Sequence, residues 1–144
     1  MSGPYLDTSA LAKWYLNEPE SDRFEAFVKE QAEASISRLT VVELRCLLSR
    51  RRRAREISRK TEQAAFALFQ NDILSGHLQL HPLRDEHGAE AVALIEQLGG
   101  HALRALDALH LVIARDIGAR ILATADRTMA RAAPDLGLEV AFFG

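Results

Sequence analysis

The chain predicts an α/β fold built on a mostly parallel sheet of five strands. Short apolar runs alternate with longer amphipathic ones along its whole length, the pattern of strands joined by helices. Five such runs are separated by helical segments, and a helical crossover is what parallel neighbours require. With 144 residues, 48% of them hydrophobic, one core and one domain spanning 1–144 account for the chain.

The first strand is expected at 4–6, where Tyr5-Leu6 runs directly into Asp7. Thr8 and Ser9 then offer caps for a helix at 9–16, and helical spacing of apolar residues marks another at 20–32. Ala34-Ser35-Ile36-Ser37 reads as the second strand, 34–37. Thr40-Val41-Val42-Glu43 fits the S/T-x-x-E capping box and opens a helix at 41–55. A helix at 58–75 leads to a third strand at 78–81, followed by a helix at 85–98. The next helix, 107–117, begins in Leu106-Asp107-Ala108-Leu109-His110-Leu111-Val112, which is apolar on almost every side and therefore buried. A fourth strand at 120–123, a helix at 127–133 capped by Asp126, and a fifth strand at 138–142 complete the series.

Composition narrows the function. No apolar run approaches the roughly 20 residues that span a bilayer, so no membrane association is expected. Met1-Ser2-Gly3-Pro4 lacks the basic region and apolar run of a secretory signal, which makes the cytoplasm the expected location. The single cysteine, Cys46, cannot form an internal disulfide and is expected as a small core residue. The net charge of −2 hides an asymmetry: residues 45–60 hold eight basic side chains and one acid, Glu56, while the remainder is strongly acidic. Such a split points to contact with a polyanion, or else to a solvated helix face. Arg45 and Arg52 in this segment are candidate phosphate contacts.

In open parallel sheets the ligand crevice lies beyond the carboxyl ends of the strands. Asp7, Glu43, Asp107 and Asp126 all fall on that edge. Each has a structural explanation, because an acid at a helix start caps free N–H groups and meets the positive end of the dipole. Glu43 and Asp126 would pass as ordinary caps, whereas Asp7 competes with Thr8 and Ser9 for that role. Asp107 is the least comfortable, since an unpartnered carboxylate at the head of a buried helix costs several kcal/mol or takes up a proton. His110, one turn along, reads as a satisfied core residue. Four acids from separate segments would repel one another in an empty site, and a divalent cation relieves this. Oxygen ligands without clustered cysteine or histidine suit Mg²⁺ or Mn²⁺ better than Zn²⁺.

Tyr5-Leu6-Asp7-Thr8-Ser9-Ala10-Leu11, Thr40-Val41-Val42-Glu43-Leu44, Leu106-Asp107-Ala108-Leu109-His110-Leu111 and Leu122-Ala123-Thr124-Ala125-Asp126-Arg127 together resemble the PIN-domain ribonucleases, and within them the VapC toxins of prokaryotic toxin–antitoxin pairs. The resemblance implies a three-layer α/β/α sandwich and an endoribonuclease dependent on Mg²⁺ or Mn²⁺. It also implies a homodimer and a cognate antitoxin that occludes the site. Asp7, Glu43 and Asp107 match the family's metal-binding triad and Asp126 its fourth, more variable acid, expected to ligate a second metal ion or to orient the attacking water. Thr8 and Thr124 flank these positions, where they are expected to hydrogen-bond water or phosphate.

Tyr5, Trp14 and Tyr15 are expected as core or interface residues, and Leu11, Trp14, Leu44, Leu47 and Leu48 as a dimer face. Two rival functions remain at this point. A phosphoacceptor signalling domain would need an acidic pair after the first strand, where Asp7 stands alone, and an acceptor after the third, where Pro82-Leu83-Arg84 follows. A noncatalytic RNA- or protein-binding module would use the acids only as caps.

Overall fold

The computed structural model describes residues 3–144; Met1 and Ser2, half of the start read above for a secretory signal, lie outside the described residues. The elements are β1 (Tyr5–Leu6), α1 (Thr8–Tyr15), α2 (Ser21–Lys29), β2 (Ala34–Ser37), α3 (Arg38–Arg53), α4 (Arg59–Leu74) and β3 (Leu78–His81). They continue as α5 (Asp85–Gln97), α6 (Ala105–Asp116), β4 (Ile121–Thr124), α7 (Arg127–Ala132), a 3-10 turn (Ala133–Leu136) and β5 (Glu139–Phe142). The five strands lie in the order β3-β2-β1-β4-β5, and every pairing is parallel.

Alternation along the strands divides the core into two layers. Tyr5 and Leu122 pack with Leu94, Leu111, Ile113 and Met129 beneath α5, α6 and α7. Leu6 and Ala123, their chain neighbours, pack with Leu11, Phe24, Leu44 and Phe69 beneath α1 to α4. The result is the three-layer sandwich. Chain order runs outward from β1 in both directions, through β2 to β3 on one side and from β4 to β5 on the other, which sets a topological switch point at the ends of β1 and β4.

Three expectations are corrected. The helix after β2 begins at Arg38, not 41, because Ser37 is its N-cap and its backbone N–H donates to Thr40 Oγ1 at 3.2 Å. Thr40 thus supplies the returning half of the cap, and Glu43 lies in the second turn, released from any capping role. Leu11, Leu44 and Leu48 are fully buried in the core, so they cannot form a dimer face; Trp14, 38% exposed, and the half-buried Leu47 remain accessible. Cys46 is exposed rather than buried, since it sits two residues from each of the inward-facing Leu44 and Leu48 and so on the far side of α3.

Candidate active site

Asp7 is the first residue after β1 and the N-cap of α1. Its Oδ1 accepts the Ala10 N–H at 3.0 Å and the Ser9 hydroxyl at 2.7 Å, and its Oδ2 accepts the Thr124 hydroxyl at 2.7 Å. Asp7, not Thr8 or Ser9, therefore caps this helix. The carboxyl is 3% exposed. Burial pushes its pKa up, against the pull of His110 and of the hydrogen bonds from Ser9, Thr124 and Ala10.

The end of β4 is stitched to the end of β1. Thr124 Oγ1 also accepts the Asp126 N–H at 2.9 Å, and Ser9 Oγ accepts the Ala125 N–H at 2.9 Å. Asp126 caps α7 through Oδ1, which accepts the Met129 N–H at 3.0 Å. Asp107, in the first turn of α6, reaches back to the N-cap, with Oδ2 accepting the Arg104 N–H at 3.1 Å. The exposed Arg104 guanidinium lies 3.4 Å from Asp107 Oδ2 and 3.3 Å from Asp126 Oδ2 and bridges the two acids.

Glu43 enters from α3. Its Oε1 accepts the Thr8 hydroxyl at 2.7 Å and is also bonded to His110 Nε2. His110 is 2% exposed, and its Nδ1 lies 2.6 Å from the Tyr5 hydroxyl, which in turn lies 2.8 Å from Ser37 Oγ. Burial alone would raise the Glu43 pKa, but the His110 hydrogen bond, with Thr8 and Arg104, outweighs it and holds the carboxyl below its ordinary range.

All four carboxylates line one pocket of about 350 Å³, together with Thr8, Ser9, His110, Arg50 and Arg104. Oε2 of Glu43 and Oδ1 of Asp107 meet no hydrogen-bond donor among the described residues. A buried concentration of negative charge with spare carboxylate oxygens fits a hard divalent cation. Thr8 stands on the pocket wall, whereas Thr124 is buried behind Asp7. Arg45 and Arg52 lie elsewhere, 2.8 and 2.7 Å from the buried Glu62, whose carboxyl the Arg45 hydrogen bond, seconded by Arg52, holds below its usual range against burial.

Ser9, Arg50, Arg104 and His110 are the residues that sequence reasoning missed. Arg104 and His110 stand three positions before and after Asp107, and Arg50 seven after Glu43, so helical facing alone places them beside acids already singled out. An apolar groove lined by Leu11, Trp14, Phe24 and Val28 has two acids at its wall, Glu33 and Asp72, against the four of the pocket above. A second group of possible ligands, His87, Glu90 and Asp116, joins α5 to α6. There His87 Nδ1 accepts the Arg84 N–H at 2.9 Å, which leaves the proton on Nε2, facing Asp116 Oδ2 at 3.4 Å, so this imidazole donates and does not ligate.

Residues 5–134 match the PIN domain. The chain belongs to the PIN-domain family. Among curated relatives, this PIN domain is 33% identical to Ribonuclease VapC47 of Mycobacterium tuberculosis over 117 residues, 78% of this chain and 75% of that one. It is 31% identical to Ribonuclease VapC46 of the same species across 97% of each chain. In fold it is similar to Mycobacterium tuberculosis VapC20, a Sarcin-Ricin loop cleaving toxin, with a TM-score of 0.73 at 16% identity over 91% of this chain and 95% of that one. A toxin–antitoxin complex from Klebsiella pneumoniae matches with a TM-score of 0.64 at 16% identity over 98% of each chain.

Proposed function

We propose that this PIN domain is a metal-dependent endoribonuclease acting as the toxin of a toxin–antitoxin pair, with Asp7, Glu43, Asp107 and Asp126 as its catalytic carboxylates. The observation that carries this reading is the convergence of four acids from four elements on one pocket. The Ribonuclease names of both VapC relatives support the substrate class.

Asp7, Glu43 and Asp107 would hold Mg²⁺ or Mn²⁺, which when bound supplies an activated water and charge stabilisation at the leaving oxygen. Asp126, fixed as a cap and facing Arg104, orients the attacking water. Thr8 holds Glu43, and Thr124 holds Asp7 from behind. Arg50 on the pocket wall takes a flanking phosphate, while Arg45 and Arg52 brace Glu62. The reading includes a cognate antitoxin, supported by the toxin–antitoxin complex of like fold, and a homodimer in the cytoplasm. Among the described residues no helix is long and apolar enough to cross a membrane.

The test is RNA cleavage in Mn²⁺ by Asp7→Asn and Asp107→Asn. Both are expected to lose cleavage while melting cooperatively; undiminished cleavage by both overturns the assignment.

A further inference from the structure

We infer that His110 is a positioning residue for Glu43, held in its donating tautomer by Tyr5, and that this buried chain presents the free Glu43 oxygen to the metal. The inference rests on the function proposed above.

With a neutral imidazole the chain has one consistent direction. Glu43 Oε1 is a carboxylate oxygen and accepts, so His110 Nε2 donates to it. In the neutral imidazole, Nδ1 is then an acceptor, and the Tyr5 hydroxyl at 2.6 Å is its donor. Tyr5 can accept in turn from Ser37 Oγ at 2.8 Å. Thr8 donates at 2.7 Å to the same Glu43 oxygen as His110. Both donors therefore fall on Oε1 and leave Oε2 free in the pocket, the division a monodentate ligand needs.

The placement is over-determined. Tyr5 lies in β1, at the centre of the sheet, with no exposed surface, and His110 lies on the buried face of α6. Glu43, by contrast, extends from α3 into a pocket open to water, where its rotamers would otherwise be free. A rigid donor fixed to the sheet removes that freedom. Without the Tyr5 O–H the imidazole can move its proton to Nδ1, and Nε2 would then oppose a carboxylate with a lone pair.

The experiment is Mn²⁺ binding without RNA, read by electron paramagnetic resonance of free Mn²⁺, for wild type, Glu43→Gln, His110→Leu, His110→Gln and Tyr5→Phe. His110→Leu is expected to weaken binding about 10–100-fold, the usual effect of losing an outer-shell partner, and Glu43→Gln, which removes a charged ligand, at least as much. His110→Gln keeps an N–H donor and is expected to bind Mn²⁺ more tightly than His110→Leu. Tyr5→Phe is expected to weaken binding in the wild-type background and to add nothing to His110→Leu. Wild-type affinity in both His110→Leu and Tyr5→Phe, with Glu43→Gln impaired, overturns the inference and leaves the nuclease reading standing. Absence of Mn²⁺ binding by the wild type overturns both. Melting in EDTA checks that each variant folds; if His110→Leu does not, Tyr5→Phe alone decides, and wild-type Mn²⁺ affinity there overturns the inference.

Discussion

Thr124 Oγ1 donates to Asp7 Oδ2 across 2.7 Å while accepting the Asp126 N–H at 2.9 Å, so one buried hydroxyl ties two of the four acids together. Thr124→Val keeps the shape and removes both bonds, leaving a part-buried N–H and a buried carboxylate oxygen unpaired. Loss of about 1–3 kcal/mol is expected in urea unfolding. Thr124→Ser, which keeps the hydroxyl, should stay near wild type; equal loss in both variants would assign the effect to the methyl group.

Asp7→Asn separates the cap from the charge. Asn caps a helix about as well as Asp, so the α1 terminus should survive. Burial raises the folded pKa of Asp7 above its unfolded value. The stability Asp7 contributes is therefore fully present below the unfolded pKa, near 4, and is lost as pH rises through the folded one. In EDTA the melting temperature of Asp7→Asn relative to wild type should climb with pH across that window. Saturating Mn²⁺ should reverse the order at neutral pH, because only the wild type gains from the cation. A pH-independent difference in EDTA would rule out the charge as its cause.

The fold was legible because each strand is a short apolar run with a helical partner. β2 at 34–37 and β3 at 78–81 fall where the runs place them, and the other strands begin one residue later than expected. The start of α3 was not, since Ser37 and Thr40 are both good caps and only the end of β2 decides between them. That choice reversed the reading of Glu43, from the best-explained cap to a residue with no capping role. Asp107 went the other way, for its buried position is relieved by the Arg104 N–H. His110 was read as a satisfied core residue and is one, but its partners Tyr5 and Glu43 lie far off in sequence, and spacing within α6 carries no trace of them. The run of arginines divides in a way spacing does not show: Arg45, Arg51 and Arg52 pair with Glu62, Glu18 and Glu56, and Arg50 reaches the acidic pocket.

This division of the arginines has opposite consequences for two measurements. Arg50→Gln should weaken binding of single-stranded RNA and flatten its salt dependence by about 0.7 in the log–log slope, the share of one phosphate contact, with little change in melting. Arg45→Gln should lower the melting temperature, because Glu62 is left buried with one partner fewer, and leave the salt slope unchanged. Fluorescence anisotropy with a catalytically dead variant as the background measures both. A slope change at Arg45 and none at Arg50 would exchange their roles.

Arg104 bridges Asp107 and Asp126 through Oδ2 of each, so it and a bound cation would draw on the same pair of carboxylates. A guanidinium and a divalent ion compete there, and the exposed guanidinium is the one free to leave. Arg104→Gln should therefore bind Mn²⁺ more tightly than wild type, by up to about tenfold given the modest worth of exposed ion pairs. Its backbone N–H still donates to Asp107, so α6 should be unharmed. RNA cleavage should fall even as metal binding improves, because the displaced guanidinium is then available to the phosphate being attacked. Weaker Mn²⁺ binding by Arg104→Gln would instead make Arg104 an orienting partner of Asp107, and titration with Mn²⁺ in the absence of RNA distinguishes the two.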